Sequence, residues 1–425
     1  MMKYHSYKDS GIDWLGEKHP IPKHWLVKRV KDLGNYQSGS FIDASEMDIE
    51  NPYPVYGGNG IRGLAKKYNH NGDYILIGRQ GALCGNINYA SGKFWATEHA
   101  VVVYKKKEYN LTWLGELFRV MNFNQYSLSA AQPGLSVDRI KRLELPIPTV
   151  EEQTAIAEYL DTKTQAIDKK VCLLEKKIGY YQELRKSLIN ETVTKGLDKN
   201  AELQTNELGF ATPKNWLRYR LKDLGALYSG LSGKSGDDFN QDDNPDNKGF
   251  IPFTNIANNT YLKRDHLGTV VVYEGEKQNR VRKGDIFFLM SSEGYEDIGK
   301  SAALAEDIEE TYLNSFCKGY RVNPRKTNPY FLNYLMLSDY YRQLLIVEGK
   351  GFTRINLKME KVNDFLVYIP DTLSAQDEIV KFLDAKLDTI AKIISNIQTQ
   401  ITTLKELRKT LINDVVTGKI KVSHE

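Results

Sequence analysis

The stretch ELRKSLINETVTKG, Glu183 to Gly196, returns as ELRKTLINDVVTGK from Glu406 to Lys419, 223 positions later. Each copy closes a long run with a heptad stripe. In the first run Leu160, Ile167, Leu174, Tyr181 and Leu188 recur every seven residues, with Val171 and Ile178 interleaved. In the second, Leu383, Ile390, Ile397, Leu404 and Leu411 do the same, with Leu387, Ile394 and Ile401 between them. Apolar residues at this spacing form the narrow seam of a coiled coil. No proline interrupts either run, and Gly196 and Gly418 are natural helix stops. Some 40 residues at 1.5 Å each predict helices about 60 Å long. Each copy supplies the other's partner, and a pseudo-two-fold relation between copies pairs them antiparallel.

The duplication extends beyond the helices. IPKHWLVKRVKDLGNYQSG (Ile21 to Gly39) matches TPKNWLRYRLKDLGALYSG (Thr212 to Gly230) at an offset of 191. From Gln153 and Gln376 onward the offset is 223, so the second globular unit is longer by 32 residues. The expected fold is α+β: two pseudo-symmetric globular units joined by two long antiparallel coiled-coil helices. The expected boundaries are 1–149 for the first unit with its lead, 150–195 for the first helix and 196–211 for a linker. The second unit takes 212–371, the second helix 372–418 and a tail 419–425. GDYILIG (72–78) and HAVVVYK (99–105) are β-branched and aromatic, hence strands, and GTVVVYE (268–274) and GDIFFLMS (284–291) are given similar parts. TWLGELFRVMNF (112–123) and NPYFLNYLMLSDYYRQLL (328–345) each predict a helix. The middles of the units diverge while their frames agree, as in two versions of one reader tuned to different objects.

A chain of 425 residues exceeds one ordinary core, and 41% hydrophobic with 26% charged residues fits a globular protein. The first 20 residues are polar and no 18-residue apolar run exists, so neither a leader nor a membrane span is expected. Cys84, Cys172 and Cys317 are few and odd in number, as for reduced cytoplasmic thiols, and no Cys or His lies at metal-site spacing from another. A formal net charge of +4 permits nucleic-acid binding without arguing for it.

Catalytic signatures are sparse. GYEDIGKS (Gly294 to Ser301) satisfies the P-loop spacing after the apolar DIFFLM, which keeps a nucleotide-hydrolysing enzyme as one alternative. Its Glu296 and Asp297 lie where phosphate would sit, so a turn between strands is the preferred reading. Asn328-Pro329-Tyr330-Phe331 reads as a turn opening a helix, and the seven histidines form no motif. A coiled-coil scaffold that binds only protein is the other alternative.

Features suited to DNA are better distributed. PVYGGNGIRGLAKK (54–67) interleaves Asn59, Arg62 and Lys66 with glycines, and GRQG places Arg79 and Gln80 directly after a strand. The second unit offers Thr254 and Asn255 in FTNIANN, Ser291 in SSEG and Arg354 in GKGFTRINLK, all read as polar loops. Arginine can bind guanine bidentately and Asn or Gln can bind adenine, so these nine residues are the candidates for reading base edges.

YKDSGIDWLGEKHPIPKHW (7–25), LPIPTVEEQTAIAEYLDTKTQAID (145–168) and ELRKSLINETVTKG together resemble the specificity (S) subunit of type I restriction–modification systems. The resemblance covers nearly the whole chain: recognition domain, spacer helix, recognition domain, spacer helix. It implies a non-catalytic, cytoplasmic DNA-reading subunit, each domain reading one half of a split target and the helices fixing the gap. It implies two methyltransferase (M) subunits bringing S-adenosylmethionine, and restriction (R) subunits bringing ATP and Mg, with no cofactor or metal in this chain. The second copy departs from the pattern: it lacks a YKDSG-like lead and begins at Asn206.

Overall fold

A computed structural model describes residues 3–16, 19–81, 83–127, 134–241, 243–351 and 353–422. These form two compact units, Met1–Glu175 with Gln398–Glu425, and Lys176–Ile397. Each therefore contains the start of one long helix and the end of the other. The helices run Val150–Lys195 and Leu373–Val416.

The first helix starts where its sequence says. Thr149 Oγ1 accepts from the Glu152 N–H (3.3 Å) and Glu152 Oε2 accepts from the Thr149 N–H (3.4 Å), a reciprocal capping box. The second has half of it: Thr372 Oγ1 accepts from the Ala375 N–H, and Ala375 has nothing to return. In the first unit the two helices pair antiparallel. Arg408 Nε lies 3.1 Å from Asp168 Oδ1 and Lys405 Nζ 3.7 Å from Glu175 Oε1, so numbering rises on one helix as it falls on the other. Leu160, Leu383, Ile390, Ile397 and Leu411 are buried, and Ile167, Leu174, Tyr181, Leu188 and Leu404 are half-buried. The helix ends leave the seam for the domain cores. Ile412, Val415 and Val416 pack with Trp25, Trp113, Ile156 and Leu160 in the first unit. Ile189 and Val193 pack with Trp216, Phe331, Leu383 and Leu387 in the second.

Each unit carries the same frame. In the first, an antiparallel sheet has the order Gly34–Ser38, Ala100–Lys105, Tyr74–Gly78, Ile87–Ala90. In the second, the order is Gly225–Ser229, Cys317–Val322, Ile286–Leu289, Ser301–Leu304, with Tyr261–Leu262 added in parallel at the edge. A second sheet sets Tyr53–Gly57 parallel to Lys93–Ala96 and antiparallel to Gly60–Ala65. Asn247–Ile251, Thr311–Leu313 and Gly268–Val271 repeat that pattern.

Four expectations change. Gly268–Val271 is not a counterpart of the central strands but of Gly60–Ala65. The true central partner, Cys317–Val322, was missed because Lys318, Gly319 and Arg321 break its apolar run. The helix expected over 328–345 is two, Pro329–Leu337 and Asp339–Val347, parted at buried Ser338, whose extended backbone (φ −67°, ψ 147°) opens the second. And the second copy does have a lead: Leu203–Thr205 pairs with Ala211–Pro213 as Tyr7–Asp9 pairs with Pro20–Pro22. Backbone pairing needs no shared side chains, so the sequence of that strand was free to drift.

Buried Gln153 and Gln376 tie each long helix to its unit. Gln153 Oε1 accepts from the Asn110 N–H (2.9 Å) and its amide donates to the Pro148 carbonyl (3.1 Å). Gln376 Oε1 accepts from the Asn328 N–H (2.8 Å) and the Thr327 hydroxyl (2.9 Å), and its amide donates to the Pro370 carbonyl (3.1 Å). Asn110 and Asn328 are the N-caps of the helices Leu111–Met121 and Pro329–Leu337.

Candidate nucleic-acid interface

In the first unit the strand Tyr74–Gly78 ends under a glycine hairpin. A Cβ on Gly78 would stand 2.1 Å from the Gly58 carbonyl oxygen, so the two backbones approach at a distance only glycine allows. The Arg79 N–H donates to the His99 carbonyl (2.9 Å), and the Leu135 N–H donates to the Arg79 carbonyl (2.8 Å). Gln80 bridges Gly134. Three segments thus meet at the strand end and leave a recess of about 690 Å³, lined by Asn59, Arg62, Gln80 and His99 among glycines.

The recess gathers three of the five candidates in this unit. Asn59 Oδ1 accepts from Asn86 Nδ2 (2.9 Å), which leaves its amide N–H groups toward solvent. Arg79 turns aside, its Nη1 donating to Ser38 Oγ (3.1 Å). Lys66 follows Ala65 at the far end of the hairpin strand; six residues of extended chain separate it from Gly60, roughly 20 Å. His99 was not among the candidates. Its place as the residue opening HAVVVYK, at the mouth of a strand beside GRQG, is the signal that points to it.

The second unit repeats the junction bond for bond. The Met290 N–H donates to the Phe316 carbonyl (3.3 Å), the Leu357 N–H donates to the Met290 carbonyl (2.8 Å), and Ser291 pairs with Asn356. Ser291 therefore occupies the place of Gln80, and Phe316 that of His99. A cation also returns to the same spot by another route. Lys318 Nζ donates to Ser229 Oγ (3.0 Å), and Ser229 stands on its strand as Ser38 does.

Thr254 and Asn255 depart from expectation. They lie on a helix, Phe253–Asn258, not a loop, in the connection 252–267 that replaces residues 58–59 of the first unit. Thr254 is exposed, whereas Asn255 is half-buried and spends its side-chain amide on the His266 carbonyl. Arg354 is exposed near the tip of a loop closed by reciprocal backbone bonds between Lys350 and Asn356 (3.0 and 2.9 Å). Its guanidinium lies over the Phe316 ring, 4.8 Å from the centroid.

The P-loop-like segment is occupied internally. Lys300 Nζ bonds Asp297 Oδ1 (2.6 Å), and Ser301, fully buried, donates to Asn333 Oδ1 (2.8 Å). Arg342 donates to the carbonyls of Glu296 (2.9 Å) and Ile298 (2.5 Å), and burial pulls its pKa below the usual arginine value. Ser301 begins a strand, not the helix a phosphate cradle needs. The segment is a strand-to-strand turn.

No helix among the described residues is long and apolar enough to cross a membrane. The family model described as "Type I restriction modification DNA specificity domain" matches twice, over 22–174 and 213–403. The chain is 50% identical over 139 residues to the EcoprrI specificity subunit of Escherichia coli, a match spanning 32% of this chain and 34%, about a third, of that relative. It is 26% identical over 373 residues to a putative type I restriction enzyme specificity subunit of Haemophilus influenzae, covering 83% of this chain and 84% of the other. A chain solved in work on complex assembly and conformational transition of the type I R-M system shares the fold at 14% identity, with a TM-score of 0.69 over 95% of this chain and 100% of that one.

Proposed function

This chain belongs to the type I restriction–modification DNA specificity family, and from that premise we propose that it reads a bipartite DNA target, one half-site per unit. The observation that carries the reading is the repeated junction. The same strand end, the same crossing carbonyl and the same returning segment recur in both units, while the side chains they present differ: Gln80, His99 and Asn59 in one, Ser291, Phe316 and Arg354 in the other. Identical frames with different tips suit two readers with different base preferences. Arg79 and Lys318, each held on an equivalent serine, suit phosphate contacts that set register without specifying sequence.

In this reading the chain is not itself catalytic. Adenine methylation with S-adenosylmethionine belongs to two methyltransferase subunits, and ATP- and Mg-dependent cleavage to restriction subunits. The long helices carry exposed Lys, Glu and Arg along most of their outer faces, surface available for docking those partners. Thr254 stays a candidate base contact, Asn255 one that must first release His266, and Lys66 a peripheral one.

Base-resolved methylation mapping of DNA from cells expressing this chain with its methyltransferase subunit tests the proposal. Two short half-sites separated by a fixed gap are expected. One contiguous site, or methylation without sequence preference, would overturn it.

A further inference from the structure

Arg354 is prepared more thoroughly than any other candidate. Its loop is pinned at both ends: Lys350 and Asn356 exchange backbone hydrogen bonds, and Asn356 Nδ2 donates to the Arg354 carbonyl (3.1 Å). Gly351 lies directly beneath. At φ +148°, a Cβ there would fall 2.0 Å from the Arg354 carbonyl oxygen, so only glycine permits this turn. The side chain is then laid across Phe316, which is 49% exposed for so large an apolar residue. Among the described residues no carboxylate forms an ion pair with Arg354.

An arginine stacked on an aromatic face keeps its guanidinium plane while its N–H edge points outward. Much of the ordering cost of a long side chain is thereby met before any ligand arrives. The fork fits a planar pair of acceptors. On DNA two groups offer such pairs: guanine O6 and N7 in the major groove, and phosphate oxygens. The structural place decides between them. The loop returns beside Ser291, the counterpart of Gln80, and Phe316 is the counterpart of His99; both belong to the junction where side chains differ between units. The cation common to both units is elsewhere, on Ser38 and Ser229. A positioning contact is expected to recur, and a specifying contact to vary.

We propose that Arg354, held in plane by Phe316, reads a guanine in the half-site of the second unit. This inference rests on the bipartite reading above. Phe316 acts as a positioning residue and Arg354 as the base contact.

The test uses this chain assembled with its methyltransferase subunit. Arg354→Ala is expected to relax one guanine position of one half-site, lowering discrimination there roughly five- to a hundredfold. The rest of that half-site and the other half-site stay unchanged, which also reports correct folding. Arg354→Lys keeps the charge but not the fork, and is expected to relax the same position. Phe316→Leu is expected to relax it less. Should Arg354→Ala abolish methylation altogether, wild-type binding to duplexes with single 7-deazaguanine substitutions gives an independent reading, since these lack N7. A loss of about fivefold or more at one position is expected. A uniform loss across sequences with a shallower salt dependence would make Arg354 a phosphate contact and overturn the proposal. So would a half-site without guanine, or 7-deazaguanine tolerated everywhere. In each of those cases two half-sites persist; failure of the bipartite reading shows instead as their absence in the wild type.

Discussion

Gln376 shows how much one side chain can hold. It lies 1% exposed and serves the N–H of a helix cap, a threonine hydroxyl and a proline carbonyl at once. Gln376→Ala removes the partner of all three, of which the threonine hydroxyl and the proline carbonyl are buried. A destabilisation of about 1–3 kcal/mol is expected, measured as a lower urea midpoint with unchanged slope. His70 makes a prediction about pH. Asn69 Nδ2 donates to the Ala96 carbonyl and Asn69 Oδ1 accepts from the Ala96 N–H, which fixes that oxygen as the acceptor facing His70 Nδ1. His70 therefore carries a proton on Nδ1, and in its neutral form Nε2 accepts from the Tyr104 hydroxyl (2.7 Å). Burial holds its pKa below 6.5. The unfolded chain therefore binds the proton more readily, and this contribution to stability, complete above about pH 6.5, is lost as pH falls below it. Between pH 7.5 and 5 the wild type is expected to lose more stability than His70→Phe, whose ring keeps the stack on Phe94 (5.2 Å between centroids). Equal losses would show that His70 is not titrating. At this scale the sequence was least legible. Asn255 and Arg354 are both polar residues in glycine- and asparagine-rich stretches, yet one is tied to His266 and the other is exposed at a loop tip, stacked on Phe316. Partners distant in the chain settle such fates, and composition does not record them.

Elements were legible where one local rule governed them. The heptads of both long helices have a period that only a helical seam satisfies, and Leu383 and Ile390 fall on its buried side. Cys317–Val322 obeys no such rule. Its Gly319 is small because the Tyr228 ring covers it, and its Arg321 is drawn inward by buried Asp285 (2.7 Å). The pairing that makes it central is tertiary. Energetics follow the same division along the helices. Leu383→Ala empties a fully buried site and is expected to cost about 2–5 kcal/mol. Arg408→Ala removes a solvent-accessible ion pair, between half-buried Arg408 and exposed Asp168, and is expected to cost less than about 1 kcal/mol. Thermal or urea unfolding of the two variants should differ accordingly, with only the Arg408 effect shrinking in high salt.

At the scale of the molecule, duplication explains why the architecture could be read from repeated segments while the reading surfaces could not. The frames repeat because two cores and one seam must close in the same way. The tips diverge because nothing in folding holds them alike, as Gln80 against Ser291 and His99 against Phe316 show. The two long helices are the elements that both units share, which in the proposed function makes them the ruler for the gap. Inserting one heptad into each, after Gln165 and after its repeat counterpart Asp388, slips the antiparallel seam by a full repeat and keeps apolar residues facing each other. Seven residues at 1.5 Å lengthen the spacer by about 10 Å, or about three base pairs at 3.4 Å each. Methylation mapping is then expected to return both original half-sites with a gap about three base pairs wider. An insertion of three residues, which rotates the seam off its stripe, is expected to abolish methylation rather than to shift the gap by one. Half-sites found at their original separation after the heptad insertion would remove the helices from the role of ruler and leave the gap to the surfaces of the partner subunits.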